Sequence, residues 1–144
     1  MEIHDLPAGD PRWELALPVL QQLRTHLSRA DLDAVLATSD AQRPAFFGAF
    51  DGGGCVGVCG WRIIANTSAG RKLHVDDLVT DDSARSRGIG AALLAHAEQL
   101  AVRHRCTLLD LDSGVQRHAA HRFYLRERMD IVSFHFAKRL EDLD

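Results

Sequence analysis

Apolar residues along the chain switch repeatedly between helical and strand-like spacing, and each switch marks an element. Trp13, Leu17, Leu20 and Leu27 recur at roughly helical spacing behind Asp10-Pro11, which reads as a cap followed by proline at the first helical position. Pro18 falls inside that run, so the helix either kinks there or begins there. Ser28-x-x-Asp31 has the form of a capping box, with Leu32, Val35 and Leu36 along one side of a second short helix. From residue 45 the pattern turns to strands: "AFFGAF" (45–50), "CVGVCGWRII" (55–64) and "RKLHVDDLVT" (71–80), separated by the turn sequences "DGGG" (51–54) and "NTSAG" (66–70). Helical spacing returns at Ile89, Leu93, Ala97, Leu100 and Ala101. "CTLLDLD" (106–112) predicts a short strand. "QRHAAHRFYLRERM" (116–129) predicts a helix that pairs Ala119 with Phe123 and Ala120 with Tyr124 at i,i+4. "IVSFHFAKRL" (131–140) predicts a closing strand with Val132, Phe134 and Phe136 on one face. With a strand near Ile3, the order is β-α-α-β-β-β-α-β-α-β, an α/β sandwich around a mixed sheet.

A length of 144 residues predicts a single domain spanning 1–144. A net charge of −3 argues against nucleic acid as an obligatory partner. No apolar run reaches the ~20 residues of a membrane span, and "MEIHDLPAGD" lacks a signal peptide's basic start and apolar stretch; a cytoplasmic protein without a membrane partner is expected. Cys55, Cys59 and Cys106 form no CxxC, which predicts neither a disulfide framework nor a zinc site but buried, reduced thiols, Cys106 among them on a strand. His118 and His121 have no partner at metal-ligand spacing, and no metal is expected.

The stretch "DDSARSRGIGAALLAHAEQL" (81–100) carries the chemistry. Arg85, Arg87, Gly88 and Gly90 crowd immediately before a helix. A helix start leaves backbone N–H groups unpartnered and favours negative charge, and glycine lets an anion approach that backbone closely. The spacing fits neither the magnesium-nucleotide loop G-x-x-x-x-G-K nor the dinucleotide fingerprint G-x-G-x-x-G. Two readings stand: a solvated basic turn, or a cradle for an anionic group.

Arg85-x-x-Gly88-x-Gly90-Ala91, between the strand end "DDLVT" and an amphipathic helix, resembles motif A of the GNAT superfamily of N-acetyltransferases. Ala120-x-x-Phe123-Tyr124, about thirty residues downstream, is similar to that family's tyrosine helix. The element order agrees, so the resemblance covers essentially the whole chain and implies a largely antiparallel mixed sheet flanked by helices. Two positions depart from the family's usual pattern: Arg117 stands where an asparagine often contacts the cofactor, and Arg128-Met129 where a Gly-Phe pair usually follows the tyrosine helix.

The resemblance implies transfer of an acetyl group from acetyl-CoA to a primary amine by direct attack in a ternary complex. It places the pantetheine arm and acetyl carbonyl along the backbone of Leu78, Val79 and Thr80. The pyrophosphate falls on the loop of Arg85, Ser86, Arg87, Gly88, Ile89, Gly90 and Ala91. Tyr124 becomes the general acid for the leaving thiolate. The base is left between His74, Asp112 and a water relay. His74, Asp76 and Leu78 share a strand face unless a bulge resets the alternation. Asp76, Asp77, Asp81 and Asp82 form an acidic cluster suited to a cationic acceptor. The acceptor is a small-molecule or peptide amine, dimerisation is common in the family, and the competing reading is a non-catalytic CoA-binding sensor module of the same fold.

Overall fold

The computed structural model of the protein describes residues 1–38 and 43–141, which fall into two compact units, Met1–Leu111 and Asp112–Asp144. The first unit runs β1 (Glu2–Asp5), α1 (Trp13–Leu23), α2 (Arg29–Leu36), β2 (Ala45–Asp51), β3 (Gly54–Asn66), β4 (Gly70–Thr80), a 3₁₀ turn (Asp82–Ala84), α3 (Ile89–Arg103) and β5 (Leu108–Leu111). Its strands form one sheet in the order β1-β2-β3-β4-β5, antiparallel except where β5 joins β4 in parallel. The second unit contains α4 (His118–Arg126). This is the mixed, largely antiparallel α/β sheet that the residue pattern and the motifs lead one to expect.

Two neighbouring phenylalanines on β2 show how the layers arise. Successive strand side chains point to opposite faces. Phe46 meets the ring of Trp13 on α1 edge-on at 5.2 Å, whereas Phe47 meets His96 on α3 at 4.5 Å. The helices α1 and α3 therefore cover opposite faces of the sheet. On the α1 side, Trp13, Ala16, Val19 and Leu20 join Leu32 and Leu36 of α2, Phe46, Cys55 and Val58 in one apolar core. On the α3 side the helix buries Ile89, Leu93, Leu94, Ala97 and Ala101.

Local signals held where they rest on short-range hydrogen bonds. Ser28 Oγ accepts from the Asp31 N–H and Asp31 Oδ2 accepts from the Ser28 N–H, each at 3.0 Å, completing the capping box. Val35 is exposed, so the buried residues of α2 are Leu32 and Leu36. The cap of α1 is corrected: the helix starts at Trp13 with Arg12 at its N-cap, so Pro11 precedes the helix and Asp10 instead accepts from the Arg12 N–H at 2.8 Å; Pro18 lies within the helix rather than at its start. Cys106 is half-buried and precedes β5, so it is not a strand cysteine. The closing strand is also corrected: residues 131–140 carry no strand, and Val132, Phe134 and Phe136 are 83%, 82% and 92% exposed. Alternating apolar residues make a strand only where another backbone satisfies their N–H and C=O groups, and alternation alone does not supply one. No helix among the described residues is long and apolar enough to cross a membrane.

Gly57 on β3 lets α3 lie close to the sheet. A Cβ there would stand 2.8 Å from Leu93 Cδ1, 3.0 Å from Ile89 Cγ2 and 3.2 Å from the Val79 carbonyl oxygen. Gly57→Ala is expected to destabilise the fold by about 1–3 kcal/mol through overpacking. Urea unfolding checks it, as a lower midpoint at unchanged slope.

Candidate active site

The turn from β4 into α3 is held at its base by α1. Gln22 donates from Nε2 to Asp81 Oδ1 at 2.7 Å and accepts the Asp82 N–H on Oε1 at 2.9 Å. The Asp81 N–H donates to the Val56 carbonyl at 2.8 Å, and the Ser83 hydroxyl donates to Asp81 Oδ2. These bonds from Ser83 and Gln22 hold the Asp81 carboxyl below the usual carboxylate range. Ala84, buried, pins the 3₁₀ turn against the unit.

Beyond that anchor the backbone turns with Ser86 at φ +64° and Gly88 at φ +77°. Gly88 is the N-cap of α3, is left-handed, and supplies no side-chain cap. The first intrahelical bond runs from the Ala92 N–H to the Gly88 carbonyl at 3.1 Å, so the N–H groups of Ile89, Gly90 and Ala91 have no partner within the helix. No heavy atom lies within 4 Å of where a Cβ on Gly88 would stand, which leaves its approach open. Glycine is favoured there by φ, since a left-handed L-residue costs about 1–2 kcal/mol. Arg85 pairs with Asp82 at 2.6 Å and Arg87 with Asp51 at 2.8 Å, both on exposed side chains. Exposed pairs of this kind contribute little, so the guanidinium groups can be drawn to a multiply charged anion. The result is an electropositive helix end with cationic arms, suited to a phosphate.

Strand β4 outruns its neighbour. The β4–β5 register ends at Val75↔Leu111, whereas the β3–β4 ladder continues to Gly57↔Thr80. Leu78, Val79 and Thr80 thus lie past the last pair with β5, on the strand that feeds the turn into α3. A register shift between Gly60 and Trp61 places Gly60 opposite Asp77 and Trp61 opposite Val75, leaving Asp76 as the extra residue of a bulge. The bulge breaks the expected alternation: Leu78 is buried, whereas His74 and Asp76 remain partly exposed with His74 Nε2 3.9 Å from Asp76 Oδ1.

Charges on this strand are paired by elements distant in sequence. Asp76 takes a two-pronged bond from Arg62 at 2.8 and 2.7 Å, which raises the guanidinium pKa. Asp77 accepts from Arg24 Nε at 2.6 Å, yet burial pushes its carboxyl above the ordinary range. Asp81 and Asp82 are also partnered, so the acidic cluster read from the sequence is largely neutralised. On β5, Asp110 meets His74 Nδ1 at 2.7 Å through Oδ1 and Lys72 Nζ at 2.7 Å through Oδ2. Sequence reasoning missed Asp110, because only the parallel register sets it opposite His74.

In the second unit, Tyr124 sits on α4, half-buried, with its ring 5.3 Å from that of Phe123. Arg128 adopts φ +66°, the left-handed conformation that glycine usually supplies, and the Met129 N–H returns to the Tyr124 carbonyl at 3.0 Å. Asp112 is 57% exposed and lies 3.5 Å from His135 Nδ1. Cys55 and Cys59 are unsuited to nucleophilic work, since burial pushes Cys55 up to about 11 and Cys59 higher still.

Residues 12–129 match the family described as Acetyltransferase (GNAT) family. Over 116 residues the chain is 32% identical to "Uncharacterized N-acetyltransferase YhdJ" of Bacillus subtilis (strain 168), covering 78% of this chain and 80% of that protein. Over 67 residues it is 39% identical to the aminoalkylphosphonate N-acetyltransferase of Salmonella typhimurium, covering 46% of this chain and 44% of that protein. Among solved structures, the aminoglycoside N-acetyltransferase AAC(6')-Iy in complex with CoA shares the fold at a TM-score of 0.82 and 15% identity, over 98% of this chain and 95% of that one.

Gln22 anchors the turn through both polar atoms of its amide. Gln22→Ala is expected to loosen the turn and weaken CoA binding about two- to tenfold for each hydrogen bond of about 0.5–1.5 kcal/mol that it releases. Calorimetric titration with CoA, alongside an unchanged far-UV spectrum, checks this.

Proposed function

Because the chain belongs to the acetyltransferase (GNAT) family, we propose that it moves an acetyl group from acetyl-CoA to a primary amine by direct attack in a ternary complex. The observation that carries this reading is the uncapped N-terminus of α3 behind left-handed Gly88, fed by a β4 that outruns β5. Those features fit an acyl-CoA: the N–H groups of Ile89, Gly90 and Ala91 with Arg85 and Arg87 hold the pyrophosphate, and the backbone of Leu78, Val79 and Thr80 takes the pantetheine arm and acetyl carbonyl. Acetyl-CoA supplies an activated thioester carbonyl.

The chain's own groups then manage the protons. His74 accepts the proton that the acceptor ammonium must lose before its nitrogen can attack, and a histidine is suited to that task near neutral pH. Tyr124 gives its phenolic proton to the departing sulfur, which would otherwise leave poorly. Backbone N–H groups along β4 oppose the negative charge that grows on the carbonyl oxygen. Neither step needs a covalent bond to the protein. Small-molecule amines are the acceptor class we favour, on the strength of the aminoalkylphosphonate N-acetyltransferase named above.

The direct test is thiol release from acetyl-CoA with a panel of primary amines that includes aminoalkylphosphonates and aminoglycosides, with mass detection of the acetylated product. Tight CoA binding with no transfer to any amine would instead favour a sensor module. Two variants probe the assigned roles. Gly88→Val is expected to raise the Kd for CoA at least tenfold in a folded protein, because it twists the α3 amides away from the anion; calorimetry reads this directly. Tyr124→Phe is expected to lower kcat by about 10²-fold with little change in CoA affinity, and an unaltered kcat returns Tyr124 to a packing role.

A further inference from the structure

We propose that Asp110, clamped by Lys72, is a positioning residue that fixes the ring proton of His74 on Nδ1 and so makes Nε2 the basic atom. The inference rests on the reading of His74 as the base and adds the device that prepares it. His74 and Asp110 are direct partners in the parallel β4–β5 register, and their Nδ1–Oδ1 distance is 2.7 Å. Lys72, two residues earlier on β4, holds the other carboxylate oxygen at 2.7 Å, with its side chain only 16% exposed. Burial works to raise the Asp110 carboxyl, but the hydrogen bonds from Lys72 and His74 outweigh it and keep the group below its ordinary range. An ionised carboxylate only accepts, so the ring nitrogen facing it must carry the hydrogen.

A neutral imidazole with its hydrogen on Nδ1 has its lone pair on Nε2. Charges near this ring also include Asp76, 3.9 Å from Nε2, and Arg62 of β3, which stands opposite His74 in register and forks onto Asp76. Asp76 is thus already paired, and Asp110 makes the closer contact. When the acceptor's N–H bond breaks, the proton goes to Nε2 and the nitrogen keeps the electron pair. The resulting imidazolium still donates from Nδ1 to Asp110, which stays ionised throughout. Solvent finally takes the proton from Nε2.

The test uses the full chain labelled with ¹⁵N-histidine and needs no ligand. Above its titration, wild-type His74 is expected to carry hydrogen on Nδ1. In Asp110→Asn the His74 titration midpoint is expected to fall, because a carboxylate that favours the charged ring is gone. Lys72→Met is expected to move the midpoint the opposite way, which general loosening of the structure would not do, and it serves as the decisive variant if Asp110→Asn fails to fold. An Nε2–H tautomer in the wild type, or midpoints unmoved in these variants, overturns the proposal. Kinetics with the best amine of the panel separate the two ideas. Asp110→Asn should lower kcat about tenfold and shift the acidic limb of its pH profile to lower pH. If His74→Gln is slow while Asp110→Asn matches wild type in kcat and limb, the positioning role falls and the base stands. If His74→Gln turns over normally, the base reading falls, and the tautomer and titrations alone decide whether Asp110 holds the ring.

Discussion

The β3–β4 ladder, paired from Gly57↔Thr80 to Asn66↔Gly70, is the frame from which the candidate site groups of the first unit hang. Its length matters more than its strength. The β5 pairing stops at Val75↔Leu111, so β4 carries its last residues beyond one neighbour while the other still holds them in place. Gly57 at the far end of the ladder admits Ile89 and Leu93, which sets the start of α3 beside the end of β4. A helix terminus suited to an anion and the end of a strand that outruns its neighbour thereby lie side by side on regular elements.

The bulge at Asp76 divides the work along β4. On one side of it, Lys72 and His74 face away from buried Leu73 and Val75 and meet β5. On the other side, Asp77 turns towards Gly60 and Arg24. Gly60 leaves the needed room, since a Cβ there would stand 2.9 Å from Asp77 Oδ2 and 2.6 Å from the Phe46 ring. Aspartates crowded within a few residues would repel one another if left bare. Arg62, Arg24, Gln22 and Arg85 each take one, so the strand keeps its carboxylates ionised or hydrogen-bonded without a net acidic patch. Burial still leaves its mark on Asp77, whose carboxyl is pushed up despite its arginine.

What the sequence determined by itself was local. The Ser28–Asp31 capping box, the meander of β2, β3 and β4, the amphipathic α3 and the glycine-led turn before it depend on backbone preferences and side chains a few residues apart, and those interactions can be read from spacing. The closing strand was not of this kind: Val132, Phe134 and Phe136 alternate as a strand would, but alternation describes a face and cannot supply the hydrogen-bonding neighbour that makes it one. Tertiary structure alone decided the pairings. Gln22 reaches Asp81 across 59 residues, His74 reaches Asp110 across 36, and one inserted residue at Asp76 resets which side chains share a face. Register and bulges are settled by the summed packing of whole strands and helices, a long-range energy that no short window of sequence contains.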